Sequence, residues 1–257
     1  MKKITILLSL TILIHCTVIA AHARKLKLVS AWLFEERNGT VAKDVVGKND
    51  GEIIGKLSWF TYGKFGRCLR YLGNPDSYLR IPHNDVFNAA PYTFVAWVKL
   101  KSKSWQYIIW RNGDVWPESK ETRHIDIWIH ADGFPVFMWT AGKNSGQIDG
   151  KTIITDDRWH HIAKVYDGNS VKMFIDGIMD TEMPSEGTLD INESPIWIGA
   201  NPNNIAATGL FDEVGFFTNA LTKNEINDVM SIGLADYATV EAIKKSTTTW
   251  AELKGGI

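Results

Sequence analysis

Two alternating runs joined by a tight-turn pair, spanning Trp159 to Gly177, constrain this chain more than any other stretch. In WHHIAKVYDGNSVKMFIDG, Ile162, Lys164 and Tyr166 share one face of an extended strand, while His161, Ala163 and Val165 share the other. Val171, Met173 and Ile175 then alternate with Lys172, Phe174 and Asp176. Asp167-Gly168 with Asn169 lies between the runs and tolerates the positive φ of a hairpin turn. A second pair, Asp176-Gly177, turns the chain again before IMDTEM. The unit is a three-stranded meander whose apolar face needs another sheet to cover it, which predicts an all-β sandwich.

The N-terminus predicts export. Residues 1–23 carry Lys2 and Lys3, then an apolar run from Ile4 to Ala20 broken by small polar residues, His15 and Cys16, then Ala21-His22-Ala23. That order is a secretory signal peptide cleaved after Ala23, leaving a periplasmic or extracellular protein. The second reading, a lipoprotein anchored at Cys16, needs a small residue where His15 stands. No later stretch reaches about eighteen continuous apolar residues, so no membrane span is expected. Cleavage removes two of the 28 basic residues and none of the 29 acidic ones, leaving a net charge of −3 that disfavours nucleic acid and anionic membrane as partners. Cys68 then stands alone, and its strand-like surroundings predict a buried, inert thiol. Stability has to come from the core, which a 45% apolar composition can supply.

Along the mature chain, KLVSAWLF from Lys27 to Phe34 reads as a first strand, and the Asn-, Gly- and Asp-rich stretch up to Gly55 as a long ordered loop. WFTYGKFGRCLRYLG and SYLRIP supply two more strands, the second ended by Pro82. Residues 92–100 are apolar on both faces and predict a central strand. QYIIWRNGDVW, HIDIWIHADG and FPVFMWT follow as strands, with a hairpin at Ala131-Asp132-Gly133; SPIWIGAN and GLFDEVGFF complete the set. Thr222 and Glu225 form a capping box opening a short helix, with Leu221 and Ile226 placed to form its hydrophobic staple. Residues 24–234 are expected to form one domain. Residues 235–257 are expected to form a tail in which Thr249 and Glu252 cap a second helix, stopped by Gly255, that straps Trp250 onto the body; the second reading is a docking or export signal.

WHHIAKVYDG with VKMFIDG, GKFGRCLRYLG at 63–73, YTFVAWVKL at 92–100 and GLFDEVGFFTNALTKNEI at 209–226 resemble, in order, the LamG-like (laminin G-like) jelly-roll domains of the concanavalin A-like lectin and glucanase superfamily. The resemblance implies a two-sheet antiparallel jelly-roll β-sandwich with its signature over residues 92–230. It also implies a calcium site between Asp44 of the N-terminal loop and Asp212 of GLFDEV, with backbone carbonyls near Glu35 and Gly39 as further ligands. The alternative is that Asp212 bonds nearby backbone amides as a turn cap. This fold hosts lectins, hydrolases and spacers, so it does not by itself assign a function.

No P-loop, dinucleotide fingerprint, HExxH or CxxC motif occurs. His160 and His161 are adjacent on a strand, so they point to opposite faces and cannot share one metal. One large family of the superfamily's glycoside hydrolases carries Glu-x-Asp-x-Glu on one strand. The nearest stretch, His124-Ile125-Asp126-Ile127-Trp128, keeps only the middle carboxylate where retaining hydrolysis needs two. On the same strand Ile125, Ile127 and Ile129 share the core face, which leaves His124, Asp126, Trp128 and His130 in an outward row. That row offers an aromatic ring for stacking on a sugar and polar partners for its hydroxyls, flanked by loops that hold Trp116 and Asn144. The competing reading is a solvated strand with one covered tryptophan. Among the 11 tryptophans, Trp32, Trp97, Trp159 and Trp197 are expected in the core, whereas Trp105, Trp110, Trp116, Trp128 and Trp139 cluster in one region.

The expected protein is therefore an exported, non-catalytic module that binds a polysaccharide or a surface glycan. The alternatives are an adhesive module that binds a cell-surface protein and, third, a glycoside hydrolase-like enzyme.

Overall fold

A computed structural model describes residues 28–101, 103–113, 122–142 and 144–254, so the expected signal peptide at 1–23 lies outside the described residues. Two antiparallel eight-stranded sheets face each other. Sheet A runs in the order β14 (Ile178–Pro184), β13 (Ser170–Ile175), β12 (Trp159–Tyr166), β7 (Tyr92–Leu100), β16 (Thr208–Phe217), β5 (Cys68–Leu72) and β4 (Ser58–Phe60). β1 (Leu28–Trp32) also pairs with β16. Sheet B runs in the order β11 (Asn144–Asp149), β10 (Pro135–Ala141), β9 (Asp126–Ile129), β8 (Gln106–Trp110), β15 (Ile196–Ile198), β6 (Tyr78–Ile81), β3 (Gly51–Ile54) and β2 (Val41–Ala42).

The hairpin that organises the sequence forms as read. Asp167 Oδ1 accepts the amides of Asn169 (2.9 Å) and Ser170 (2.8 Å), and Gly168 adopts φ +100°. The two-residue turn after it has positive φ at both Asp176 (51°) and Gly177 (75°), the twist that matches a right-handed strand pair. Both faces of β12 are buried, but against different partners. Ile162 and Tyr166 point between the sheets, whereas Ala163 and Val165 join Val95 and Phe217 in a second cluster under α1 (Lys223–Lys254). Central β7 divides in the same way, with Phe94, Ala96 and Val98 facing the main core and Val95 the second. Lys164 is fully buried, its ammonium donating to the carbonyls of Met138 (2.6 Å) and Asp126 (3.4 Å) on sheet B.

Three expectations need correction. The stretch expected as one long loop before Gly55 contains β2 and β3, because Val41 and Ala42 pair with Glu52 and Gly51. Trp197 faces away from the core, since Ile196 and Ile198 on either side of it point in. The proposed boundary at residue 235 falls inside a packed element. The Thr222–Glu225 capping box opens α1 (2.6 and 3.3 Å), Gly233 breaks it at φ +79°, and Leu234 and Tyr237 beyond the break are buried in the second cluster. The helix continues past Thr249 to Lys254; the side chain of Trp250 lies outside the described residues. Cys68 is buried and free, and burial pushes its thiol up to about 12, which makes it inert.

Candidate functional site: an aromatic groove on sheet B

The outer face of β8, β9 and β10 forms an open groove of about 420 Å³. Alternation builds its floor. Ile127 and Ile129 point into the core, so Trp128 points out, opposite Tyr107 on β8 and Val136 on β10. Met138 and Gln147 extend the floor across β10 and β11. The hairpin at Ala131–Gly133 closes with the Gly133 amide on the His130 carbonyl (2.8 Å) and stacks Phe134 on the His130 imidazole, centroids 4.6 Å apart. On the opposite rim Gln147 Nε2 donates to Asp149 Oδ1 (2.8 Å).

Trp105, just before β8, lies flat on Trp128, with centroids 4.6 Å apart and planes 14° from parallel. Trp105 is 51% exposed and Trp128 only 7%, so the outer indole presents a ring to solvent and the inner one backs it. The groove therefore has the apolar, aromatic lining with a few placed polar groups that suits a small ligand or a saccharide.

The expected four-residue row breaks after two members. Trp128 and His130 line the groove, but Asp126 is 1% exposed and is spent on structure: its Oδ1 accepts the Arg111 amide (3.0 Å), and Arg123 Nε lies 3.9 Å from Oδ2. His124 precedes the first residue of β9 in a bend, so strand alternation does not reach it. Its imidazole turns inward onto Tyr92 (5.0 Å), with its nitrogens near the carbonyls of Asp190 (3.0 Å) and Ala89 (3.2 Å). Burial holds it at about 4, so it is neutral at physiological pH. Trp116 lies outside the described residues, and Asn144 opens β11. Of the remaining clustered tryptophans, Trp139 is core and Trp110 packs on Trp197 (5.5 Å). What alternation could not reveal is that Trp105, outside any strand, covers Trp128.

Asp44 and Asp212, the expected calcium ligands, are both engaged by backbone amides. Asp44 Oδ1 accepts the amides of Ala31, Val46 and Gly47 at 2.9 to 3.1 Å, and its Oδ2 accepts the amide and side chain of Asn49 at 3.1 and 3.2 Å. Asp212 accepts the amides of Phe65 (2.9 Å) and Glu213 (2.8 Å), and burial raises it to about 8. The Gly39 carbonyl accepts the Trp59 indole (3.0 Å). Asp44 thus ties its own loop to β1, and Asp212 ties the distant loop at Phe65 to β16; among the described residues no group of three or more His, Cys, Asp or Glu is placed to hold a metal. His160 and His161 diverge as expected. His160 bonds Asp176 (2.8 Å) and Asp156 (2.9 Å), while His161 is buried edge-on against Trp97 (5.2 Å).

This chain belongs to the concanavalin A-like lectin/glucanases superfamily, matching it over residues 72–227. No curated protein sequence matches it. Among solved structures, the binding domain of Paraclostridial Mosquitocidal Protein 1 superposes with a TM-score of 0.65 at 16% identity, covering 79% of this chain and 51% of that one. Domain 4 of AbnA, a GH43 extracellular arabinanase from Geobacillus stearothermophilus, solved with arabinotriose, gives 0.63 at 20% identity, covering 80% and 98%. A structure of botulinum neurotoxin type C, whose cell entry is described as dependent upon interaction with two ganglioside molecules, gives 0.61 at 15% identity, covering 79% and 50%. This chain spans about half the length of the toxin chains and matches nearly all of the arabinanase domain. At these identities the likeness concerns the fold.

Proposed function

We propose that the protein is an exported, non-catalytic module that binds a polysaccharide or surface glycan in the Trp105–Trp128 groove. The observation that carries this reading is the half-exposed Trp105 ring, held flat by Trp128 and rimmed by the Gln147–Asp149 pair and His130. A sugar's apolar face stacks on such a ring while its hydroxyls meet the rim. The fold neighbours support it, since one was solved with arabinotriose and another is described as interacting with gangliosides. A non-catalytic role accords with Asp126, the one carboxylate of the expected strand, being engaged with Arg111 and lying out of solvent.

A glycan array followed by titration of the best ligand tests the reading. Saturable binding that Trp105→Ala weakens at least tenfold supports it; the absence of any glycan ligand overturns it. Sustained release of reducing ends, abolished by Asp126→Asn, would place the protein among the hydrolases instead. An adhesive, protein-binding role draws on Ile178, Met179 and Met183, exposed along edge strand β14. It predicts binding to a cell-surface protein that neither sugars nor Trp105→Ala disturb. Export is tested by mass spectrometry: the mature chain should begin at Arg24, and a lipid on Cys16 would refute it.

A further inference from the structure

Strand β8 contains an irregularity with consequences for the whole outer face of sheet B. Its pairing with β9 shifts between Tyr107 and Ile109, where an extra residue is inserted. Ile108 and Ile109 consequently both reach the core. Tyr107 and Trp110 are three positions apart and would fall on opposite faces of a regular strand; here both face out, Tyr107 against Trp128 and Trp110 against Trp197. The bulge thus joins the groove to a second aromatic surface on β15 and β6.

That surface has its own architecture. Leu79 and Ile81 point into the core, as do Ile196 and Ile198, so Tyr78, Arg80 and Trp197 point out. Tyr78 and Trp197 stack with centroids 4.0 Å apart and planes 9° from parallel, and both remain partly exposed. Arg80 sits beside them, across the ladder from Trp197 on one side and Glu52 on the other. Neither Arg80 nor Glu52 makes an ion pair or side-chain hydrogen bond with the described residues. A partly exposed guanidinium with its donors unspent, next to a flat aromatic pair, is a recognition surface that nothing in the fold uses.

We infer that Tyr78, Trp197 and Arg80 form a second saccharide subsite, so that the protein holds a linear glycan at two aromatic platforms on one sheet face. The inference rests on the glycan-binding reading of the groove. Trp128 on β9 and Trp197 on β15 flank β8, two inter-strand steps of about 4.8 Å apart, and their partners Tyr107 and Trp110 are at most three steps of about 3.3 Å apart along β8, which places the platforms about 12–14 Å apart at Trp197, with Tyr78 one strand further. That distance suits a few linked sugars running obliquely across the strands. Trp105 stacks one unit, while Tyr78 stacks another and Arg80 donates to its hydroxyl oxygens. The unused Glu52 carboxylate accepts hydroxyl protons and keeps the subsite electrically balanced, which selects an uncharged chain.

Titration with arabino- and cello-oligosaccharides, from disaccharide to octasaccharide, tests this against wild type, Trp105→Ala, Tyr78→Ala and Arg80→Gln. Wild-type affinity should rise steeply once a chain reaches both platforms. Tyr78→Ala and Arg80→Gln should each flatten that rise about tenfold, with unchanged circular dichroism and melting temperature. If affinity depends on Trp105 but its rise with chain length survives both Tyr78→Ala and Arg80→Gln, the second stack is only a cover for Trp110 and the inference falls, leaving the groove reading intact. If neither these oligosaccharides nor any ligand from the glycan array binds wild type, both readings fall together.

Discussion

Trp105 rests on Trp128 as a stacked pair in which only the outer ring meets solvent, because the inner one stands on the outer face of β9 directly beneath it. The two residues therefore separate binding from stability. Trp105→Ala should reduce glycan affinity at least tenfold with little loss of stability, as expected for truncating an exposed aromatic anchor. Trp128→Ala removes the supporting ring from a buried position and should cost about 3 kcal/mol. Calorimetry alongside titration decides: a large melting-temperature drop in Trp105→Ala would make that ring a structural lid.

His160 bonds a carboxylate at each ring nitrogen, Asp176 and then Asp156, and both raise its affinity for a proton. The folded state therefore holds the proton more tightly than the unfolded chain, whose histidine titrates near about 6.5. This contribution is complete below that pH and is lost as pH rises through the elevated folded value. Urea unfolding between pH 6 and pH 9 should show stability falling with pH. His160→Ala should cost about 1.5–3 kcal/mol at pH 6 and make that slope shallower, the remainder belonging to Asp212, whose carboxyl is raised to about 8 by burial and loses stability in the same direction. An identical slope in the variant would assign the dependence to another group.

Gly199 adopts φ +91°, and a Cβ there would stand 2.0 Å from the ring of Tyr71, which is itself packed on Phe211. Gly199→Ala combines backbone strain with a core clash and should cost more than about 3 kcal/mol. Gly168 provides the comparison, with φ +100° and nothing within 4 Å of an added Cβ. Gly168→Ala carries strain alone and should cost about 1–2 kcal/mol. Equal losses in the two variants would contradict the packing around Tyr71.

Asp44 meets backbone amides on both oxygens and so needs no cation to offset its charge, while burial lifts Asp212 to about 8, so that near neutral pH a proton fills that role. Chelation should leave the melting temperature unchanged within about 1 °C, because only a ligand of the native state can raise it. Asp44→Ala, which orphans the amides gathered on its carboxylate, should cost about 2 kcal/mol or more. A calcium-dependent rise in melting temperature would overturn this account.

The features that could be read without the structure are those settled by a few neighbouring residues. The Asp167-Gly168 and Asp176-Gly177 turns follow from φ preferences and short-range hydrogen bonds. The Thr222–Glu225 box closes within one helical turn. Period-two alternation likewise placed Ile127 and Ile129 inward and Trp128 outward, and two apolar faces marked β7 as central. What lay beyond reach depends on partners distant in the chain. His124 turns inward because β9 starts only at Asp126 and the carbonyls of Ala89 and Asp190 await its ring. Asp126 is spent on the Arg111 amide, and Lys164 is buried because sheet B offers it two carbonyls. The bulge in β8 brings Tyr107 and Trp110 to one face, and the break at Gly233 docks Leu234 and Tyr237 on sheet A. Local backbone chemistry therefore determined the strands and turns, while long-range packing decided which side chains were left facing solvent to form a site.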